Sequence, residues 1–136
     1  MAENDQSREA SRGGLSRPGA LAGLRVLDLT DDLGRFATKL LAEGGASVVK
    51  LVGRGSPGRP MADPCSAALG GVGDRWFDGG KTTVDVDIDA SSGQEALRGL
   101  AGCADLVIDS AAPGALAARG LDFADLSADR LSSRSR

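Results

Sequence analysis

Trp76–Asp89 reads WFDGGKTTVDVDID, and the fold turns on the residues after its Gly-Lys-Thr. In a phosphate-gripping P-loop those residues open a helix, whose first amides point at the phosphates. That loop also carries a Gly six residues before the Lys, a place held here by Arg75. Past Thr83 the chain instead alternates strictly, with Val84, Val86 and Ile88 on one side and Asp85, Asp87 and Asp89 on the other. A period of two is a half-buried β-strand, so Thr82–Asp89 is expected to be a strand, with WFDGG as the loop entering it. The P-loop reading fails on both counts. The three aspartates also match the first acidic spacings of an EF-hand loop. Ala90 stands where that loop needs Gly and Ala96 where it needs Glu, which leaves an acid-rich, solvated strand face.

The neighbouring segments extend the pattern. Arg25–Leu29 (RVLDL) and Ser47–Val52 (SVVKLV) read as strands, and Phe36–Glu43 between them as a helix. Phe36, Ala37, Leu40 and Leu41 define its expected inward face, and Gly44-Gly45 its stop. This order predicts a βαβ unit. Residues 53–73, rich in Gly, Pro, Arg and Ser, read as a long surface loop. Ser92 and Glu95 form a capping-box pattern for a helix over residues 93–100, with Ala96, Leu97 and Leu100 inward. Asp105–Ile108 is a further strand. A short helix over residues 114–119, closed by Gly120, and one capped by Asp122 over residues 123–126 complete the plan. The fold class is α/β and Rossmann-like, a mostly parallel sheet with flanking helices.

The chain's 136 residues suit one domain, and 41% of them are hydrophobic. Aromatics make up 3%, so the core must be aliphatic. Residues 1–20 are polar, Gly/Ser-rich and mixed in charge, and read as a flexible leader; residues 132–136 read as a polar tail. A net charge of −3 offers no basic stripe to nucleic acid. No apolar run is long enough for a membrane span, and no signal peptide opens the chain, so the expected location is the cytoplasm.

Histidine is absent. That removes the Ser/His and Cys/His nucleophile systems, though a carboxylate nucleophile needs no His. Cys65 and Cys103 have no metal-ligand spacing, so no metal is expected, and Cys103 reads as a small core residue. The turn after the first strand, Asp31–Phe36, has one Gly rather than a GxGxxG fingerprint. Two readings stay open for it. It is either an anion cradle at a helix N-terminus with Arg35 beside it, or an ordinary turn with a solvated Arg.

Taken in order, the segments resemble CoA-transferase family III, the CaiB/BaiF group. Leu21–Thr30 (LAGLRVLDLT) is similar to that family's first strand. Gly34–Thr38 (GRFAT) resembles its GPFAT helix start, and Leu40–Lys50 (LLAEGGASVVK) its LLAdlGAdViK stretch. Gly80-Lys81 with Val84–Asp87 resembles NRGKrSvtlDLk, and Ala104–Asp109 with Pro113-Gly114 resembles ADvlienfrPG. No single motif is specific, but the string of five is. The likeness spans residues 21–131 and implies the N-terminal part of the family's domain.

The resemblance implies transfer of CoA between an acyl-CoA and a carboxylic acid. The family's aspartate forms a mixed anhydride and then a CoA thioester. That aspartate lies beyond the matched segment, so no catalytic residue is assigned in this chain. The resemblance further implies CoA contacts at Leu33 and Gly34 in the first turn, at Arg54 after the second strand, and along Val86, Asp87, Ile88 and Asp89. Ser110 and Ala111 come next, where the family has Asn-Phe, and then Arg119, one place after the family's Arg. Asp89 stands where a Lys is usual, which sets repulsion against CoA phosphates. CoA binding as a substrate is therefore expected to be weak or lost. The likeness leaves three readings. The chain is a truncated or degenerate transferase inactive alone, a non-catalytic subunit or homodimer-forming module that pairs with a full-length relative, or a gene remnant.

Overall fold

A computed structural model of the chain describes residues 18–54 and 71–127. In order these form β1 (Arg25–Leu29), α1 (Arg35–Glu43), β2 (Ser47–Val52), α2 (Val72–Asp78), β3 (Thr82–Asp85), α3 (Ser91–Cys103) and β4 (Leu106–Asp109), then a 3-10 turn, Ala117–Arg119. Residues 123–127 make a last helical turn. The four strands form one sheet in the order β3-β2-β1-β4, and every pairing is parallel. The α/β expectation holds. Most of the leader, the tail, Cys65 and residues 55–70 of the expected loop lie outside the described residues.

Two apolar layers hold the sheet. On one face Leu27, Leu29 and Leu51 pack with Leu97 and Ala101 of α3, and with Leu121 and Leu126. On the other, Val26 and Val48 pack with Ala46 and, more loosely, with Leu41 and Ala42 of α1. Leu97 is fully buried, a burial that contributes about 1.5–3 kcal/mol. Gly93 allows α3 to lie this close, because a Cβ there would overlap the carbonyl oxygen of Asp87.

Several local expectations are corrected. Residues 72–78 are helical rather than loop, so WFD ends a helix and only Gly79-Gly80 turns the chain into β3. β3 ends at Asp85, yet the burial alternation runs on: Val86 and Ile88 are buried, and their amides donate to Val52 O and Arg54 O. α1 turns its expected face outward. Phe36 and Leu40 are each 51% exposed, while Thr38 and Lys39 are buried. α3 starts before Ser92, which makes no cap, and it runs on to Cys103. Ala96 faces solvent, and Cys103 is exposed at the helix end rather than in the core. The helix expected over residues 114–119 is a turn with one 3-10 segment. Asp122 caps as expected: its carboxylate accepts from Asp125 N at 2.9 Å, and Asp122 N donates back to the Asp125 carboxylate at 3.3 Å.

Candidate functional site

The strand order reverses at β1, with β2 on one side and β4 on the other. In open parallel sheets, ligands bind beyond the carboxyl ends of the strands at such a switch point. Here that place lies between Asp31, just past β1, and Ser110, just past β4. Ser110 Oγ donates to Asp31 Oδ1 at 2.7 Å and accepts from Asp31 N at 2.8 Å. Leu33 N donates to the same carboxylate oxygen at 2.9 Å. The Ser110 hydroxyl, and secondarily the Leu33 amide, hold the Asp31 carboxyl below its usual range. A cleft of about 260 Å³ opens beside this pair, lined also by Ala111, Ala115, Leu116 and Arg119.

In the turn above the cleft three of the backbone donors are already used. The amides of Gly34 and Arg35 both donate to Asp31 O, and that of Leu33 to the Asp31 side chain. These amides are therefore not aimed at an anion. Arg35 is no solvated residue either. It pairs with Asp32 at 3.1 Å and Asp74 at 2.8 Å, and its guanidinium lies 4.0 Å over the Phe77 ring. The backbone is that of an ordinary turn into a helix, but Arg35 is not solvated, because α2 supplies it with partners from far along the chain.

Beneath the turn is a buried charge cluster. Asp28 and Lys50 are register partners on β1 and β2 and are fully buried on the α1 face. Asp28 Oδ1 accepts from Thr30 N at 2.9 Å and Thr30 Oγ1 at 2.6 Å. Its Oδ2 accepts from Thr38 Oγ1 at 2.6 Å and Lys81 Nζ at 2.9 Å. Lys81 Nζ also donates to Thr38 Oγ1 at 2.8 Å and Arg35 O at 3.3 Å. Lys50 Nζ donates to Asp78 at 2.7 Å. Burial pushes the Asp28 carboxyl up, but the bonds from Thr30, Thr38 and Lys81 outweigh it and hold the group below its usual range. This cluster explains α1: Thr38 turns inward to meet Asp28, which carries Phe36 and Leu40 outward. It also gives the Lys of GGKTT its role, a buried tie between strand and helix.

The residues assigned to CoA contact from the sequence fall in several places. Ser110, Ala111 and Arg119 line the switch-point cleft. Leu33, 87% exposed, and Gly34, at the start of α1, sit in the turn that leads from Asp31. Arg54 and Asp87 line a separate groove of about 600 Å³ with Val52, Gly53 and Asp85. Val86 and Ile88 point into the core, so only their backbone can face a ligand. Asp89 is tied to the cleft, since its carboxylate accepts from Arg119 Nε at 3.1 Å. Sequence reasoning missed the part played by Asp31, Asp28 and Lys50. For Asp28 and Lys50 the signal was a charge inside each of two apolar strands, RVLDL and SVVKLV. Among the described residues no group of His, Cys, Asp or Glu is placed to hold a metal ion, and no helix is long and apolar enough to cross a membrane.

Known proteins share this fold. The model of CoA-transferase family III matches residues 21–130. The succinyl-CoA:(R)-benzylsuccinate CoA-transferase subunit BbsE of Thauera aromatica is 31% identical over 109 residues, 77% of this chain and 27% of that protein. The Homo sapiens succinyl-CoA:glutarate CoA-transferase is 31% identical over 112 residues, 78% of this chain and 25% of that protein. The crystal structure of a CaiB/BaiF family protein from Brucella suis superposes with a TM-score of 0.67 at 27% identity, covering 83% of this chain and 31% of that one. The chain thus spans about a quarter of the length of the curated relatives it matches.

Proposed function

Because this chain belongs to CoA-transferase family III, we propose that it forms the nucleotide-facing part of a CoA site and carries out no acyl transfer alone. The observation that carries this reading is the cleft at the β1/β4 switch point, where Ser110, Ala111 and Arg119 meet Asp31. Arg119 and Arg54 are the cations for CoA phosphates, and Asp31 accepts a hydrogen bond from a ligand hydroxyl. Leu33, Gly34 and the backbone of residues 86–89 complete the contacts. Binding is weak, because Asp31, Asp87 and Asp89 stand among these groups and oppose an anion.

Inactivity rests on the carboxylates. A nucleophilic carboxylate must reach the acyl group. Asp28 is sealed in its ion cluster, while Asp31 is fixed by Ser110 and Leu33. The aspartate that the family uses for its anhydride is expected on polypeptide outside these 136 residues. The setting is the cytoplasm, and the acyl group is chosen elsewhere. Titration calorimetry with CoA should give a Kd of about 0.1–1 mM, and no heat at several millimolar would remove the site. Acyl exchange between succinyl-CoA and a carboxylic acid by the purified chain would overturn the claim of inactivity.

A second reading, a module that pairs with a full-length relative or with its own copy, is favoured by one surface. Phe36, Leu40, Val72 and Trp76 are each about half exposed across α1 and α2, with Phe36 and Trp76 stacked at 6.2 Å. β4 adds an edge strand with Leu106 and Val107 partly exposed. Sedimentation equilibrium separates the readings: a monomer up to about 100 μM argues against self-pairing, and that concentration corresponds to about −5.5 kcal/mol.

A further inference from the structure

We propose that Asp89 is a built-in competitor for the anionic group of the ligand at Arg119. This rests on the reading of the cleft as a site for a phosphate-bearing nucleotide, and adds what sets its strength. Arg119 lies on the cleft wall beyond β4, yet its Nε is held at 3.1 Å by a carboxylate from the segment after β3, the strand at the opposite edge of the sheet. Its Nη1 donates to Ala115 O at 3.1 Å. The guanidinium is thus tied through Nη1 to its own turn and through Nε to Asp89.

Both partners are partly solvated, with side-chain exposures of 34% for Arg119 and 49% for Asp89. Such a pair is weak enough for a doubly charged phosphate to displace. The displaced carboxylate does not leave the site. Asp89 stays on the chain just before α3, where its amide is held by Asp87 Oδ1 at 3.0 Å, so it remains beside the incoming anion and opposes it. The ligand therefore loses twice, once in displacing Asp89 and again in standing near it.

The test compares the intact chain with D89N and R119A, using 3′,5′-ADP, pyrophosphate and adenosine as probes. Both positions are at the surface, and a thermal melt confirms that each variant folds. D89N should tighten 3′,5′-ADP by about five-fold at low salt, with the gain shrinking as salt screens the charges. Pyrophosphate should gain similarly and adenosine should not. In R119A the D89N change should have a clearly smaller effect, because the competition is gone and only the repulsion from a nearby carboxylate remains. Measurable 3′,5′-ADP binding that is unchanged or weaker in D89N overturns the competition and leaves the nucleotide site standing. No binding of CoA or 3′,5′-ADP to either protein at several millimolar overturns both.

Discussion

Two sets of opposite charges, one buried under the first turn and one on the rim of the cleft, differ in depth, and that depth separates their roles. Asp28, Lys81, Lys50 and Asp78 pair where Asp28, Lys50 and Lys81 have no exposed side-chain surface. Asp89 and Arg119 pair at 3.1 Å, only slightly longer, but in contact with water. Buried charges that lose a partner keep their desolvation cost, whereas exposed ones are rehydrated. The inner cluster should therefore govern whether the first turn and α1 hold their places, and the rim pair should govern what binds.

The largest test of that contrast is Lys81→Met, which keeps the stem but strands Asp28. It should cost about 3–5 kcal/mol in urea unfolding, and a loss below 1 kcal/mol would mean the cluster is not a fixed tie. Next is Gly93→Ala, which puts a Cβ against Asp87 O and should cost about 1–3 kcal/mol through displacement of α3. A smaller effect is acid lability. The Asp28 carboxyl is held below its ordinary value, so the unfolded chain binds more protons in that window. Stability should fall as pH drops below about 4, and the slope should flatten in Asp28→Asn. The smallest effect is Asp89→Asn, expected to change stability by less than about 0.5 kcal/mol. A larger loss would make the rim pair structural and erase the distinction.

Much of the fold was legible because it rests on short-range patterns. Period two marked the segment from Thr82, and short apolar, β-branched runs marked Arg25–Leu29 and Ser47–Val52; each forms a parallel strand. Asp122 was legible as a cap because that bond spans three residues. Helix faces were less so. The apolar stripe Phe36, Ala37, Leu40 and Leu41 points outward except at Leu41, since Thr38 is drawn to a carboxylate ten residues earlier and an ammonium 43 residues later. Ser92 failed as a cap because α3 begins before it, and Cys103 failed as a core residue because it falls on the open end of that helix. The candidate site was half visible. Its Ser110 and Arg119 came from the order of motifs, while Asp31 became notable only when β4 brought Ser110 beside it.

The sequence by itself determined the alternation of strands and helices, the failure of GGKTT as a phosphate grip, and the order of segments that marks the family, because each depends on neighbours along the chain. Only the tertiary structure decided that Lys81 is buried against Asp28, that α1 shows its apolar side to solvent, and that Asp89 reaches Arg119. These are meetings of charges 53 and 30 residues apart. Their pairing is set by sheet order and burial, which no local period encodes.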